Sequence, residues 1–113
     1  ALVRRTSHDD PDPVLTLADL SLDPASHRVI RGPDKIDLTP REYAVLELLL
    51  RNRNRILTRS TIIDHVWDMS FDGDTQLVDS HIHHLRRKVD DDRPLKLIHT
   101  VRGVGYMMGL DSP

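Results

Sequence analysis

Gln76-Leu77-Val78-Asp79-Ser80-His81-Ile82-His83-His84-Leu85-Arg86-Arg87-Lys88-Val89 is followed, after a polar break, by Leu97-Ile98-His99-Thr100-Val101-Arg102-Gly103-Val104-Gly105-Tyr106-Met107-Met108. In the first stretch Val78, Ile82, Leu85 and Val89 recur at i, i+4, i+7 and i+11, the signature of one buried helix face. Thr75 is the expected N-cap. At about 100° per residue, the opposite face carries Gln76, Ser80, His83, His84 and Arg87. His81, Arg86 and Lys88 fall on the flanks, and Asp79 is the one acid before the C-terminal end. Asp90, Asp91 and Asp92 read as a solvated stop. Residues 97–101 and 104–108 then read as two strands around Arg102-Gly103.

Upstream, Thr39-Pro40-Arg41-Glu42 predicts a helix start, with threonine as N-cap, proline at N1 and glutamate closing a capping box. Tyr43, Leu46, Leu49 and Leu50 form its apolar stripe, widened by Val45 and Leu48, and it is expected to end near Arg51. After the polar residues 51–55, Ile56-Leu57 suggests a short strand. Thr58 or Ser60 is placed to cap a second helix carrying Ile62, Ile63, Val66 and Trp67. Residues 68–74 read as a loop with Phe71 at its centre. Before the first helix, residues 14–38 read as four short strands of an antiparallel sheet. Val14, Thr16 and Ala18 alternate with Leu15, Leu17 and Asp19, and Leu20-Ser21-Leu22 follows. Asp23-Pro24-Ala25 is a turn signal, and residues 27–31 and 35–38 flank a second turn at Gly32-Pro33-Asp34. The polar, proline-containing residues 6–13 read as a linker. The resulting order is sheet, three helices and hairpin, an α+β domain over residues 14–113.

The 113 residues suit a single soluble, globular domain, with 38% apolar and 30% charged residues. There is no cysteine, which removes disulfides, thiolate metal sites and cysteine nucleophiles and suits a reducing compartment. No apolar run approaches the roughly 18 residues of a membrane span, and the N-terminus does not read as a signal peptide. The net charge of −2 hides clustering: residues 51–60 hold four arginines and no acid, and residues 61–75 four aspartates and no base. For a surface that meets phosphates, clustering matters more than the sum.

A last helix followed by a hairpin has the order of a helix-turn-helix with a wing, in which one helix enters the major groove of DNA. Gln76 has the groups for a bidentate contact to adenine and Arg87 for one to guanine. Arg102 on a narrow hairpin tip suits the negative potential of a minor groove. The plainer alternatives are a solvated helix face and a glycine turn beside a solvated arginine.

Thr100-Val101-Arg102-Gly103-Val104-Gly105-Tyr106 resembles the wing signature of the winged-helix effector domain of OmpR/PhoB-type response regulators. Leu38-Thr39-Pro40-Arg41-Glu42-Tyr43-Ala44-Val45-Leu46 is similar to that family's first helix. Ile56-Leu57-Thr58-Arg59 and Val66-Trp67 resemble the flanks of its second. Val78-Asp79-Ser80-His81-Ile82 and Leu85-Arg86-Arg87-Lys88 resemble its recognition helix. The likeness spans residues 14–108. It implies a cytoplasmic transcription factor controlled by a histidine kinase through an upstream receiver domain, with residues 1–5 resembling the end of that domain's last helix. It implies double-stranded DNA with promoter direct repeats as the target, RNA polymerase as a partner, and a monomeric or weakly associating isolated domain. His81, His84 and Arg86 take recognition-helix contact positions, Thr100 and Arg102 wing positions, and Arg59 and Trp67 phosphate-backbone positions. Asp68, Met69, Ser70, Phe71, Asp72, Gly73 and Asp74 correspond to the polymerase-contact loop. Trp67-Asp68-Met69-Ser70-Phe71-Asp72-Gly73-Asp74-Thr75 and Lys96-Leu97-Ile98-His99-Thr100 look closest to heavy-metal-responsive members.

The chain departs from the pattern at His83-His84, where many members carry two arginines. Imidazoles titrate near neutral pH and lack the bidentate fork of arginine, so DNA affinity is expected to change between about pH 6 and pH 8. Among rival readings, His81 and His84 at i, i+3 begin a metal site, but spacing supplies no third or fourth ligand, and no cofactor is expected. Neither a phosphate-binding loop nor a glycine-elbow nucleophile is present, so no enzyme is expected. The serious alternative is a winged helix that binds protein and not DNA.

Overall fold

The computed structural model describes residues 13–67 and 76–111. The helix end expected at residues 1–5, the linker expected at residues 6–13 apart from Pro13, the loop at residues 68–74 and the cap at Thr75 lie outside them. An N-terminal sheet is built from β1 (Leu15–Leu17), β2 (Leu20–Asp23), β3 (Arg28–Arg31) and β4 (Asp34–Ile36), paired antiparallel in chain order. Three helices follow, α1 (Pro40–Arg51), α2 (Arg59–Val66) and α3 (Gln76–Val89). The short β5 (Leu57–Thr58) lies between α1 and α2. The hairpin β6 (Ile98–Val101) and β7 (Gly105–Met108) closes the fold, with β5 on the free side of β7.

The predicted start of α1 is present in full. The Thr39 side chain accepts from the Glu42 backbone N–H, and Glu42 returns a bond to the Thr39 N–H. Thr58, rather than Ser60, caps α2 by accepting from the Thr61 N–H at 3.1 Å. The stripe of α3 is wholly inside, with Val78, Ile82, Leu85 and Val89 all buried. These side chains meet Tyr43, Val45, Leu46, Leu49 and Leu50 of α1, Ile62 of α2, and Leu20, Leu22 and Val29 of the sheet in one core.

Several strand limits differ from expectation. The alternation through Asp19 predicts a longer first strand, yet β1 stops at Leu17. Ala18 turns the chain at φ 54°, and no glycine or asparagine advertises that turn. Asp34, expected in a turn, opens β4 opposite Arg31, so the turn shrinks to Gly32-Pro33. Residues 37 and 38 leave the sheet before the Thr39 cap. At the wing, Val104 belongs to the turn and is exposed, donating its N–H to the Val101 carbonyl. Gly103 at φ +74° completes that turn with a conformation that a side chain disfavours. A Cβ on Gly105 would stand 2.0 Å from the Leu57 carbonyl oxygen, so only glycine lets β5 approach β7.

Asp90 corrects the reading of a solvated stop. It is 3% exposed and takes the backbone N–H groups of Leu97 and Ile98 on its two carboxylate oxygens. Its Oδ1 also accepts from Nη1 of Arg31, itself 1% exposed. Arg31 donates further to Asp19 and to the carbonyls of Val89 and Leu95. Asp91 and Asp92 are exposed, as expected of a helix stop.

Candidate nucleic-acid interface

Because its stripe is consumed by the core, α3 must turn its other face outward. Gln76, Ser80, His83, His84 and Arg87 are all exposed there, in agreement with their spacing. The His83 and His84 rings lie 5.8 Å apart, tilted. Arg86, Arg87 and Lys88 fill the last turn, where the carbonyl end of the helix dipole favours cations. Arg87 on α3 and Arg102 on the wing turn have no hydrogen-bond or ionic partner among the described residues. Two cations are thus available to an outside anion.

The flanking residues are engaged within the domain. His81 is half-buried, donates from Nδ1 to the Leu77 carbonyl at 2.9 Å, and meets Trp67 edge-on at 5.2 Å. Trp67 ends α2, is 9% exposed, and lies beneath the Arg41 guanidinium at 4.9 Å. Its ring therefore belongs mostly to the packing between α1, α2 and α3. Arg86 reaches across to the wing, donating to the Ile98 carbonyl at 3.3 Å and to the Thr100 hydroxyl. Thr100 is exposed, and its hydroxyl is the acceptor of that bond.

A cluster centred on Asp79 ties α3 to its surroundings. Oδ1 of Asp79 accepts from Arg59 Nε at 2.7 Å and from the Tyr106 hydroxyl. Burial works against the Asp79 charge, but the bonds from Tyr106 and Arg59 outweigh it and hold its carboxyl below the usual range. Burial, and then the bond to Asp79, push the Tyr106 phenol up. The guanidinium groups of Arg59 and Arg86 stand 5.4 Å and 5.6 Å from the Tyr106 ring, within cation–π range. Asp79 was visible in the sequence only as the lone acid of α3. Arg41, which covers Trp67, carried no signal beyond its place in the first turn of α1.

The expected polymerase-contact residues Asp68, Met69, Ser70, Phe71, Asp72, Gly73 and Asp74 lie outside the described residues. Among the described residues, no three His, Asp or Glu side chains converge as metal ligands, and no helix is long and apolar enough to cross a membrane.

Residues 33–108 match the family model described as "Transcriptional regulatory protein, C terminal". The chain is 48% identical over 115 residues to the response regulator MprA of Mycobacterium sp. strain KMS, covering all of this chain and 50% of MprA. It thus spans about half the length of the relatives that it matches. The DNA-binding domain of Klebsiella pneumoniae RstA, solved in complex with the RstA box, superposes with a TM-score of 0.77 at 25% identity, covering 88% of this chain and 100% of that one. The response regulator DrrB of Thermotoga maritima, an OmpR/PhoB homologue, gives a TM-score of 0.76 at 27% identity over 85% of this chain and 44% of that one. This family is one of transcriptional regulators and not an enzyme class. With its sheet, three helices and wing in that order, the chain belongs to the C-terminal transcriptional regulatory family, as a winged-helix domain of OmpR/PhoB-type response regulators.

Proposed function

We propose that this chain reads double-stranded DNA as the output module of a two-component response regulator. In this reading α3 enters the major groove and the β6–β7 wing lies along the adjacent minor groove. Gln76, Ser80, His83, His84 and Arg87 face base edges and phosphates, joined by His81 and Arg86 from the flanks. Arg59 and Trp67 meet the backbone, and Thr100 and Arg102 carry the wing contact. Two copies sit head-to-tail on promoter direct repeats, and the loop at residues 68–74 meets RNA polymerase. A receiver domain and its histidine kinase control the whole protein in the cytoplasm. The isolated domain is monomeric or weakly associating, so DNA drives the pairing.

The observation that carries the reading is the outward face of α3, exposed and polar along its length beside an unpaired arginine on the wing. The RstA domain, similar over its whole length, is bound to DNA in its crystal structure. The test is selection from a random-sequence duplex library at low and moderate salt, followed by sequencing. The expected result is a direct repeat spaced about one helical turn apart. If nothing is enriched and bulk duplex binding shows no salt dependence, the domain is a protein-binding winged helix.

A further inference from the structure

Asp79 is the one carboxylate that α3 carries before its end, on the flank of a helix whose outer face is polar and whose last turn is cationic. A bare negative charge there repels phosphate and lowers affinity for any polyanion. Its geometry gives it another use. One oxygen, Oδ1, receives Arg59 Nε from α2 and the Tyr106 hydroxyl from β7, so a single atom joins the second helix, the reading helix and the wing. Arg59 is held twice, by that bond at 2.7 Å and by the Tyr106 ring at 5.4 Å. Its Nη nitrogens bond to no carboxylate or carbonyl among the described residues, and its side chain is 32% exposed. A guanidinium tied back through Nε presents the remaining nitrogens as a rigid fork suited to two phosphate oxygens.

We infer that Asp79 is a positioning residue for DNA binding, acting through Arg59: its charge is used to set the guanidinium fork toward the phosphate backbone. The inference rests on the DNA-reading function proposed above. It carries a sign that simple electrostatics does not predict. Removing an acid from a DNA-facing helix ordinarily strengthens binding, whereas removing Asp79 weakens it because Arg59 loses its hold.

The experiment measures affinity of this chain for an unselected mixed-sequence duplex across a salt series. The proteins compared are the unaltered chain, Asp79→Ala, Arg59→Ala and the double variant, each with its urea midpoint. Asp79→Ala is expected to bind about tenfold more weakly, with a salt slope shallower by about one phosphate contact. In the Arg59→Ala background the same change no longer weakens binding, and it relieves a repulsion instead. Binding of Asp79→Ala that equals or exceeds that of the unaltered chain overturns the inference. So does an equal loss in both backgrounds with an unchanged salt slope and a lowered urea midpoint, which marks a folding defect. An unaltered chain with no salt-dependent binding removes the DNA-reading function, and the inference falls with it.

Discussion

Glu42 shows how one side chain serves two elements. At the third position of α1 it closes the capping box by accepting from the Thr39 N–H at 3.0 Å, and the same Oε1 accepts from Lys88 of α3 at 2.7 Å. Burial pushes its carboxyl up, but the Lys88 bond and the Thr39 backbone bond together bring it below the usual range. A carboxylate depressed in the folded state contributes stability that is complete above its unfolded pKa of about 4.3 and is lost as pH falls through the folded value. Glu42→Gln is therefore expected to cost about 1 kcal/mol near pH 7. Urea unfolding from pH 7 down to pH 3 should show that cost vanish as the acid limb is descended; a penalty that is constant with pH would refute the assignment. The capping half of this role was legible because it is local. The Lys88 half was not, since 46 residues separate the partners. Asp90 failed for the same reason: three adjacent aspartates look alike until the chain brings Arg31 to the first of them.

At the scale of the element, legibility followed period and punctuation. The stripes of α1 and α3 repeat over several turns, and their burial matches the spacing closely. The first strand hairpin was misplaced because Ala18 adopts a positive φ without any residue that favours it, the surrounding sheet holding it there. The outer face of α3 was legible as the complement of its stripe. The use of Arg86 as a brace to the wing was not, because spacing places a flank residue without fixing its partner. Of the stretches that resemble heavy-metal-responsive members, residues 68–75 lie outside the described residues. On the exposed face itself, His83 and His84 occupy the middle of α3 and neither is buried. Replacing both by arginine adds two permanent cations at positions facing the proposed duplex. Binding to mixed-sequence DNA at pH 8 is expected to tighten, and the salt slope to steepen by up to about two phosphate contacts. A slope equal to that of the unaltered chain would place these side chains away from the phosphates.

Across the whole molecule, the N-terminal sheet and the wing are joined through a buried ionic node rather than by apolar packing alone. Arg31 of β3 contacts Asp90, the Val89 carbonyl at the end of α3 and the Leu95 carbonyl before β6. Asp90 in turn holds the first backbone N–H groups of the wing. The end of α3 and the base of the wing are thus set against the sheet by residues 58 to 64 positions apart. The family match begins at residue 33, so β1, β2 and β3, with Arg31, fall outside it. A fragment of residues 33–108 would keep Asp90 and lose its guanidinium partner, together with Leu20, Leu22 and Val29 from the core. A buried charge stripped of its partner costs about 3–5 kcal/mol, a large share of the roughly 5–15 kcal/mol that a domain possesses. Arg31→Met in the full chain is expected to lose about that amount in urea unfolding while remaining cooperative. The fragment, which also loses apolar burial, is expected to show no cooperative transition. If the fragment unfolds as cooperatively as the full chain and Arg31→Met leaves the midpoint unchanged, the sheet is an appendage and α3 and the wing hold their relative positions without it.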